Sequence, residues 1–135
     1  MSSQPPRLPR TGPLPRPSNP AEAREYLKAE GFPAPDVRTV TLTATEFTSI
    51  CPRTGQPDFG SVTIEYTPGE RCLESKALKF YLWSYRDEGA FCESLAARIA
   101  ADIVYAIRPR ALRVQVNQNV RGGIALVAVA VREGT

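Results

Sequence analysis

The sequence predicts an α+β fold in which helices are layered on an antiparallel sheet. Two pairs of alternating segments carry this prediction, VRTVTLTATEF with SVTIEYTP and ALRVQVNQ with IALVAVAV. Between the pairs lies AFCESLAARIAADIVYAI, whose apolar residues recur at helical spacing. A chain of 135 residues makes one domain, long enough to bury a core without disulfide or metal staples.

Residues 1–18 are expected to be a flexible arm and residues 19–135 the folded domain. The first twenty residues hold seven prolines and no acidic residue, so they can build neither helix nor sheet ladder and have little to bury. A short helix follows. Asn19 can cap it, Pro20 suits its first turn, Glu22 falls near the positive end of the helix dipole and Gly31 can end it. VRTVTLTATEF then alternates, with Val40, Leu42 and Ala44 on one face and threonines on the other. CPRTGQPDFG reads as a turn-rich loop, and SVTIEYTP resumes the alternation through Val62, Ile64 and Tyr66.

ESKALKFYLWSYRDEG is ambiguous by local pattern. Its aromatics favour a strand, whereas Leu78, Tyr81, Leu82 and Tyr85 fit i, i+3, i+4, i+7. The next segment is a helix with a stripe of Phe91, Leu95, Ile99 and Ile103, closed by Pro109. ALRVQVNQ is a strand through Leu112, Val114 and Val116, NVRGG a turn or bulge, and IALVAVAV a last strand apolar on both faces, which hints at burial between subunits.

Composition excludes much. The chain has no histidine, so Ser-His and Cys-His dyads, imidazole-dependent zinc sites and histidine acid–base catalysis are out. Cys51, Cys72 and Cys92 are too widely spaced for a C-x-x-C motif, and their odd number argues for free thiols. No apolar run approaches the roughly 20 residues of a membrane span, and the N-terminus lacks a signal-peptide core, so a cytoplasmic protein without membrane contact is expected. A net charge of +3 suits a phosphate-bearing ligand and falls short of a nucleic-acid footprint. P-loop and G-x-G-x-x-G motifs are absent. Taken alone, Cys51 fits a buried strand-end cysteine as well as a nucleophile on a stiff loop with Asp58 as its acid.

FTSICPRTGQPDFG followed by ESKALKFY resembles the QueF-type NADPH-dependent 7-cyano-7-deazaguanine reductases, of the tunnelling-fold superfamily. The resemblance spans roughly Glu46 to Ile124 in four ordered elements: the CPxTGQPD loop, E-S-K-x-x-K-x-Y, an F-x-E step opening a helix, and RGGI before the last strand. It implies two antiparallel hairpins with a helix pair between them, which settles ESKALKFYLWSYR as helix. It also implies homo-oligomeric rings closing into a barrel, with active sites at subunit interfaces.

The reaction implied is reduction of a nitrile to a primary amine with NADPH, in the queuosine tRNA-modification pathway. Cys51 matches the family nucleophile, whose thiolate forms a thioimide with the nitrile carbon. A free thiol with pKa about 8.5 is only a few per cent thiolate at neutral pH, so nearby cations or backbone N–H groups are expected to lower it. Asp58 matches the proton donor and acceptor, and burial is expected to raise its pKa. Leu73, Glu74, Ser75 and Glu93 match substrate-binding positions, Glu93 accepting from the guanine-like edge. Lys76 and Lys79, together with Arg121, match the holders of the NADPH phosphates, and Gly122 and Gly123 allow close backbone approach. Cys92 stands in the substrate-binding set where the family usually carries histidine; if it sits beside Cys51, oxidation is expected to join the two in a disulfide and silence the enzyme. No metal and no direct nucleic-acid contact are implied. The alternatives from the same residues are an amidine-forming, archaeosine-type relative and a non-catalytic purine- or pterin-binding protein.

Overall fold

A computed structural model describes residues 5–134. The elements run α1 (Pro20–Ala29), β1 (Phe32–Pro33), β2 (Val40–Ile50), β3 (Pro57–Thr67), β4 (Arg71–Cys72), α2 (Ser75–Trp83), α3 (Cys92–Ile107), β5 (Ala111–Arg121) and β6 (Ile124–Glu133). β2, β3, β5 and β6 form one antiparallel sheet in that spatial order, and β1 with β4 makes a two-residue clip. α3 packs on β5 and β6, α2 leans on β2, and α1 rests on both of these helices. The expected α+β layering is therefore present, with a third helix on the pair. No helix among the described residues is long and apolar enough to cross a membrane.

The core lies between helices and sheet. Val62, Ile64 and Tyr66 of β3, with Leu112, Val114 and Val116 of β5, face Leu95, Ile99 and Ile103 of α3. Each such aliphatic side chain contributes about 1.5–3 kcal/mol through burial. Leu78, Tyr81, Leu82 and Tyr85 are all buried, as the helical reading of that segment requires. Phe91 departs from its predicted stripe. It is the residue before α3, 49% exposed, and its side chain makes no cap.

α1 starts as its sequence suggests, with Asn19 Oδ1 accepting from the Glu22 N–H at 2.8 Å. Its end differs. Gly31 does not adopt a left-handed conformation; instead the Arg71 guanidinium donates to the carbonyls of Lys28 (2.7 Å) and Gly31 (2.9 Å), satisfying the orphan acceptors of the last turn. A buried polar knot ties the helices together. Tyr81 donates to Asp102 at 2.5 Å, Tyr81 and Tyr85 share a 2.6 Å hydrogen bond, and Arg24 of α1 reaches Asp102 at 3.3 Å. Burial pushes the Tyr85 phenol up to about 12.

Residues 5–18 of the arm form no helix or strand, yet they lie against the domain; residues 1–4 fall outside the described residues. Leu8 is buried, its N–H donates to Glu30 at 2.9 Å, and the Pro9 carbonyl accepts from Lys76 Nζ at 2.7 Å.

Two strands carry an extra residue. In β2 the pairing with β3 steps from Ala44–Val62 to Phe47–Gly60, and in β5 the pairing with β6 steps from Gln118–Leu126 to Arg121–Ile124. Such a bulge reverses which alternate residues face inward. Val40, Leu42 and Ala44 point inward before the first bulge, whereas Phe47 and Ser49 do so after it. β3 also begins earlier than the sequence suggests, at Pro57, so Asp58 lies in a strand and not in a turn. Its phase is that of Val62, Ile64 and Tyr66, because β3 has no bulge opposite β5.

Gly60 permits this arrangement. A Cβ there would lie 1.9 Å from the Asn117 carbonyl oxygen, a backbone atom that cannot move aside without breaking the β3–β5 ladder. Gly60→Ala is expected to destabilise the protein by at least the roughly 1–3 kcal/mol typical of overpacking. Denaturant unfolding checks this; an unchanged midpoint would contradict it.

Candidate active site

Cys51 follows β2 and opens a closed loop. Its N–H donates to the Gln56 carbonyl and its carbonyl accepts from Gly55 N–H, both at 2.9 Å, and Gly55 takes φ +72°, which glycine adopts freely. The base of the loop is tied to the α2–α3 connection: Ile50 N–H donates to the Glu88 carbonyl (2.9 Å) and Ala90 N–H to that of Ile50 (3.1 Å). These bonds hold the loop beside the start of α3. The Thr54 hydroxyl, then the backbone N–H groups of Thr54 and Arg53, stabilise the thiolate and hold Cys51 below its ordinary value; the Asp58 charge acts the other way.

Asp58 projects from β3 to the same place and is 5% exposed. Arg121 reaches it from the end of β5, donating through one nitrogen to Asp58 Oδ1 and through the other to Gln56 Oε1 at 2.7 Å. The β5 bulge gives Arg121 the inward phase, and Gly122 and Gly123, at φ +58° and +79°, turn the chain into β6. Arg121 is pushed further up by Asp58. The buried Asp58 thus shares its site with a guanidinium.

Cys51, Asp58, Cys92, Glu93, Arg121 and Gly122 line one cavity of about 480 Å³. Within it Cys92 and Glu93 diverge. Glu93 is exposed to the cavity, whereas the Cys92 thiol is buried and lies 3.5 Å from the Val116 carbonyl, to which it donates. Burial, then the Glu93 charge, pushes Cys92 up, so it is a poor nucleophile. All three cysteines are free thiols.

The remaining candidates lie apart from that cavity. Ser75 and Lys79 border a second cavity of about 450 Å³ between β2 and α2, together with Trp83 and Arg86. Leu73 is buried, with its N–H donating to the Tyr66 hydroxyl at 2.9 Å. Glu74 caps α2, accepting from the N–H groups of Lys76 (3.0 Å) and Ala77 (2.8 Å). Lys76 is engaged by the arm. One chain therefore does not bring Lys76 and Lys79 to Arg121.

Thr54 and Gln56 were missed by sequence reasoning. Their position inside CPRTGQPD was the available signal, since a loop that must stabilise a thiolate without histidine needs donors of its own. The lowered Cys51 value predicts that iodoacetamide modifies Cys51 well before Cys72 or Cys92 in the folded protein. Thr54→Val, which deletes the hydroxyl, should slow that modification several-fold at neutral pH and move its pH profile upward. Equal rates for the three thiols, or an unaffected Thr54→Val profile, would contradict this.

Known proteins are similar to the chain over most of its length. Residues 57–135 match the family described as QueF-like protein. A protein of Anaeromyxobacter dehalogenans strain 2CP-C named NADPH-dependent 7-cyano-7-deazaguanine reductase is 42% identical over 130 residues, covering 96% of this chain and 93% of its own. A protein of Halorhodospira halophila with the same name is 46% identical over 96 residues, 71% of this chain and 81% of its own. Among solved structures, the apo form of the archaeosine synthase QueF-Like superposes with a TM-score of 0.70 at 27% identity, over 75% of this chain and 99% of that one. With its tunnelling fold and these relatives across most of its length, the chain belongs to the QueF-like family.

Proposed function

We propose that the protein reduces the nitrile of 7-cyano-7-deazaguanine to the aminomethyl group at the expense of NADPH, the nitrile-reduction step of queuosine synthesis. The relatives that bear the reductase name support this, and one observation carries it into chemistry: a loop-held thiol with depressed pKa beside a buried carboxyl in one cavity. The Cys51 thiolate forms a C–S bond to the nitrile carbon, and Asp58 passes a proton to the nitrile nitrogen, giving a thioimide. Glu93, exposed in the cavity, accepts from the N–H edge of the base.

The bound cofactor supplies hydride, and two such transfers with two protons convert the thioimide to the amine and free the thiol. The donor set fits such a group: Lys79 and Arg86 stand beside Ser75 and Trp83, cations and a hydroxyl next to an aromatic ring, as a phosphorylated nucleotide requires. We assign Lys76, Lys79, Arg121 and Gly122 to holding it, and Leu73, Glu74, Ser75 and Cys92 to shaping the substrate side.

The separation of Lys79 from Arg121 supports a homo-oligomer whose site is completed between subunits. β2 and β6 are the two edges of the sheet, and the outer face of β6 shows Val127, Val129 and Val131, each about half exposed. The first cavity includes Ile124 and Leu126 of β6, and the second runs along β2. Edge-to-edge association of two copies would bring these borders together. The cytoplasm, with its NADPH and its reducing poise toward free thiols, is the compartment this chemistry needs.

Mixing the protein with NADPH and 7-cyano-7-deazaguanine under reducing conditions should consume about two NADPH per amine formed. Without NADPH, intact mass should show a substrate adduct that Cys51→Ala abolishes. An adduct consumed by ammonia and not by NADPH would instead favour the amidine-forming reaction; no adduct and no oxidation would end both readings.

A further inference from the structure

The first cavity concentrates negative charge. Asp58 is buried there, Glu93 faces it, and Cys51 must become a thiolate to react. The groups that surround Cys51 are Asp58 of β3, Arg121 of β5, Cys92 and Glu93 of α3, and Arg53 of its own loop. Arg53 is exposed and does not line the cavity; its guanidinium carbon lies 5.9 Å from the ring of Phe91 on the cavity border. Among the described residues Arg121 is the one cation lining the cavity, and it is the one hydrogen-bond partner of the Asp58 side chain. The chain has no histidine to share the task. The contact also has a direction. Arg121 takes Asp58 Oδ1, Gln56 fixes the other guanidinium nitrogen at 2.7 Å, and Asp58 Oδ2 is left without a partner among the described residues.

We propose that Arg121 is a positioning residue for the reacting pair: as counter-ion of the buried Asp58 side chain it offsets the negative charge that opposes a thiolate on Cys51, and by holding Oδ1 it keeps Oδ2 for proton transfer. This role precedes the cofactor and is separate from holding phosphate. It rests on the reductase reading for its catalytic consequence alone. In that consequence the Cys51 S–H proton passes to Asp58 Oδ2 as sulfur bonds to the nitrile carbon, and Oδ2 then delivers it to the nitrile nitrogen. One S–H adds across one C≡N, with no external proton and no change in oxidation state. Without Arg121, the carboxylate stands unneutralised beside the sulfur and opposes thiolate formation.

The test is alkylation of Cys51 by iodoacetamide, an uncharged reagent, followed by peptide mass between about pH 5 and 9 with neither NADPH nor nitrile present. Arg121→Ala should slow modification at neutral pH by about three- to tenfold and shift the profile to higher pH. Arg121→Lys should retain most of the wild-type rate, because the charge remains. Asp58→Asn alone, which keeps the cation and removes the competing charge, should speed modification, and adding Asp58→Asn to Arg121→Ala should restore the rate toward wild type. Circular dichroism establishes that each variant is folded, and the Asp58→Asn arm decides the matter even if Arg121→Ala is not. An Arg121→Ala profile that overlays wild type, with a raised KM for NADPH alone, would make Arg121 a phosphate holder and overturn the proposal. So would a double variant that stays slow, or an Asp58→Asn protein no faster than wild type. If the alkylation series behaves as expected while no NADPH is oxidised, the reductase reading fails and the counter-ion role stands.

Discussion

A β-strand offers its side chains only two directions, and three groups of this site must share one of them. Asp58 has the inward phase from the start, because it lies an even number of residues from Val62, Ile64 and Tyr66 on a strand whose register is unbroken toward β5. Cys51 and Arg121 do not. Inward positions early in β2 are even-numbered, as are those of β5 through Val116. One extra residue in each strand reverses the phase, and both sites of reversal lie just before the chain leaves the sheet for the loop or turn that carries the functional group. The two bulges are thus what converts a half-buried sheet into a cavity wall with a thiol, a carboxyl and a guanidinium facing one another. Gly60 belongs to the same construction, because only a residue without Cβ lets β3 approach β5 closely where Asp58 enters.

The elements themselves were legible, since alternation in four segments and a 3.6-residue period in one are local signals. Where sequence reasoning fell short, the deciding contact was distant in the chain. α1 ends through Arg71, some forty residues on, so the adjacent Gly31 offered a plausible but different stop. ESKALKFYLWSYR was ambiguous because aromatic residues satisfy both a strand and a buried helix; the knot of Tyr81, Tyr85 and Asp102 shows why this helix needs them. Starting β3 at Ser61 hid the phase of Asp58, which three further residues of alternation would have exposed. Cys51, Asp58, Glu93 and Arg121 were named from motif resemblance and meet in one cavity, but no pattern in the sequence disclosed that Arg121 pairs with Asp58.

Without histidine, the site divides the usual work of one imidazole. Hydroxyl and amide donors of the loop favour the thiolate at short range, while Arg121 offsets the carboxylate that opposes it. The division also accounts for Cys92, at the position where the resemblance led one to expect histidine. Its thiol is directed at the Val116 carbonyl and raised by burial, so it fills space against the sheet. A thiol held in that way is also a weak partner for a disulfide, because exchange requires a thiolate with access to the other sulfur.

The second group of candidate residues is organised by a different constraint. Glu74 spends its carboxylate on the first N–H groups of α2, and Lys76 spends its ammonium on the arm. What remains free on that helix is Ser75 and Lys79, along the groove beside β2. A groove on one edge of the sheet and a reactive cavity bordered by the other edge are incomplete in complementary ways. One has cations, an aromatic ring and no reacting group; the other has the reacting pair and a single cation already committed to it. The proposed association through the edges would join what the single chain separates, and the commitment of Arg121 to Asp58 would make that union more necessary, because the anionic charge of a cofactor would then be met largely from the groove side.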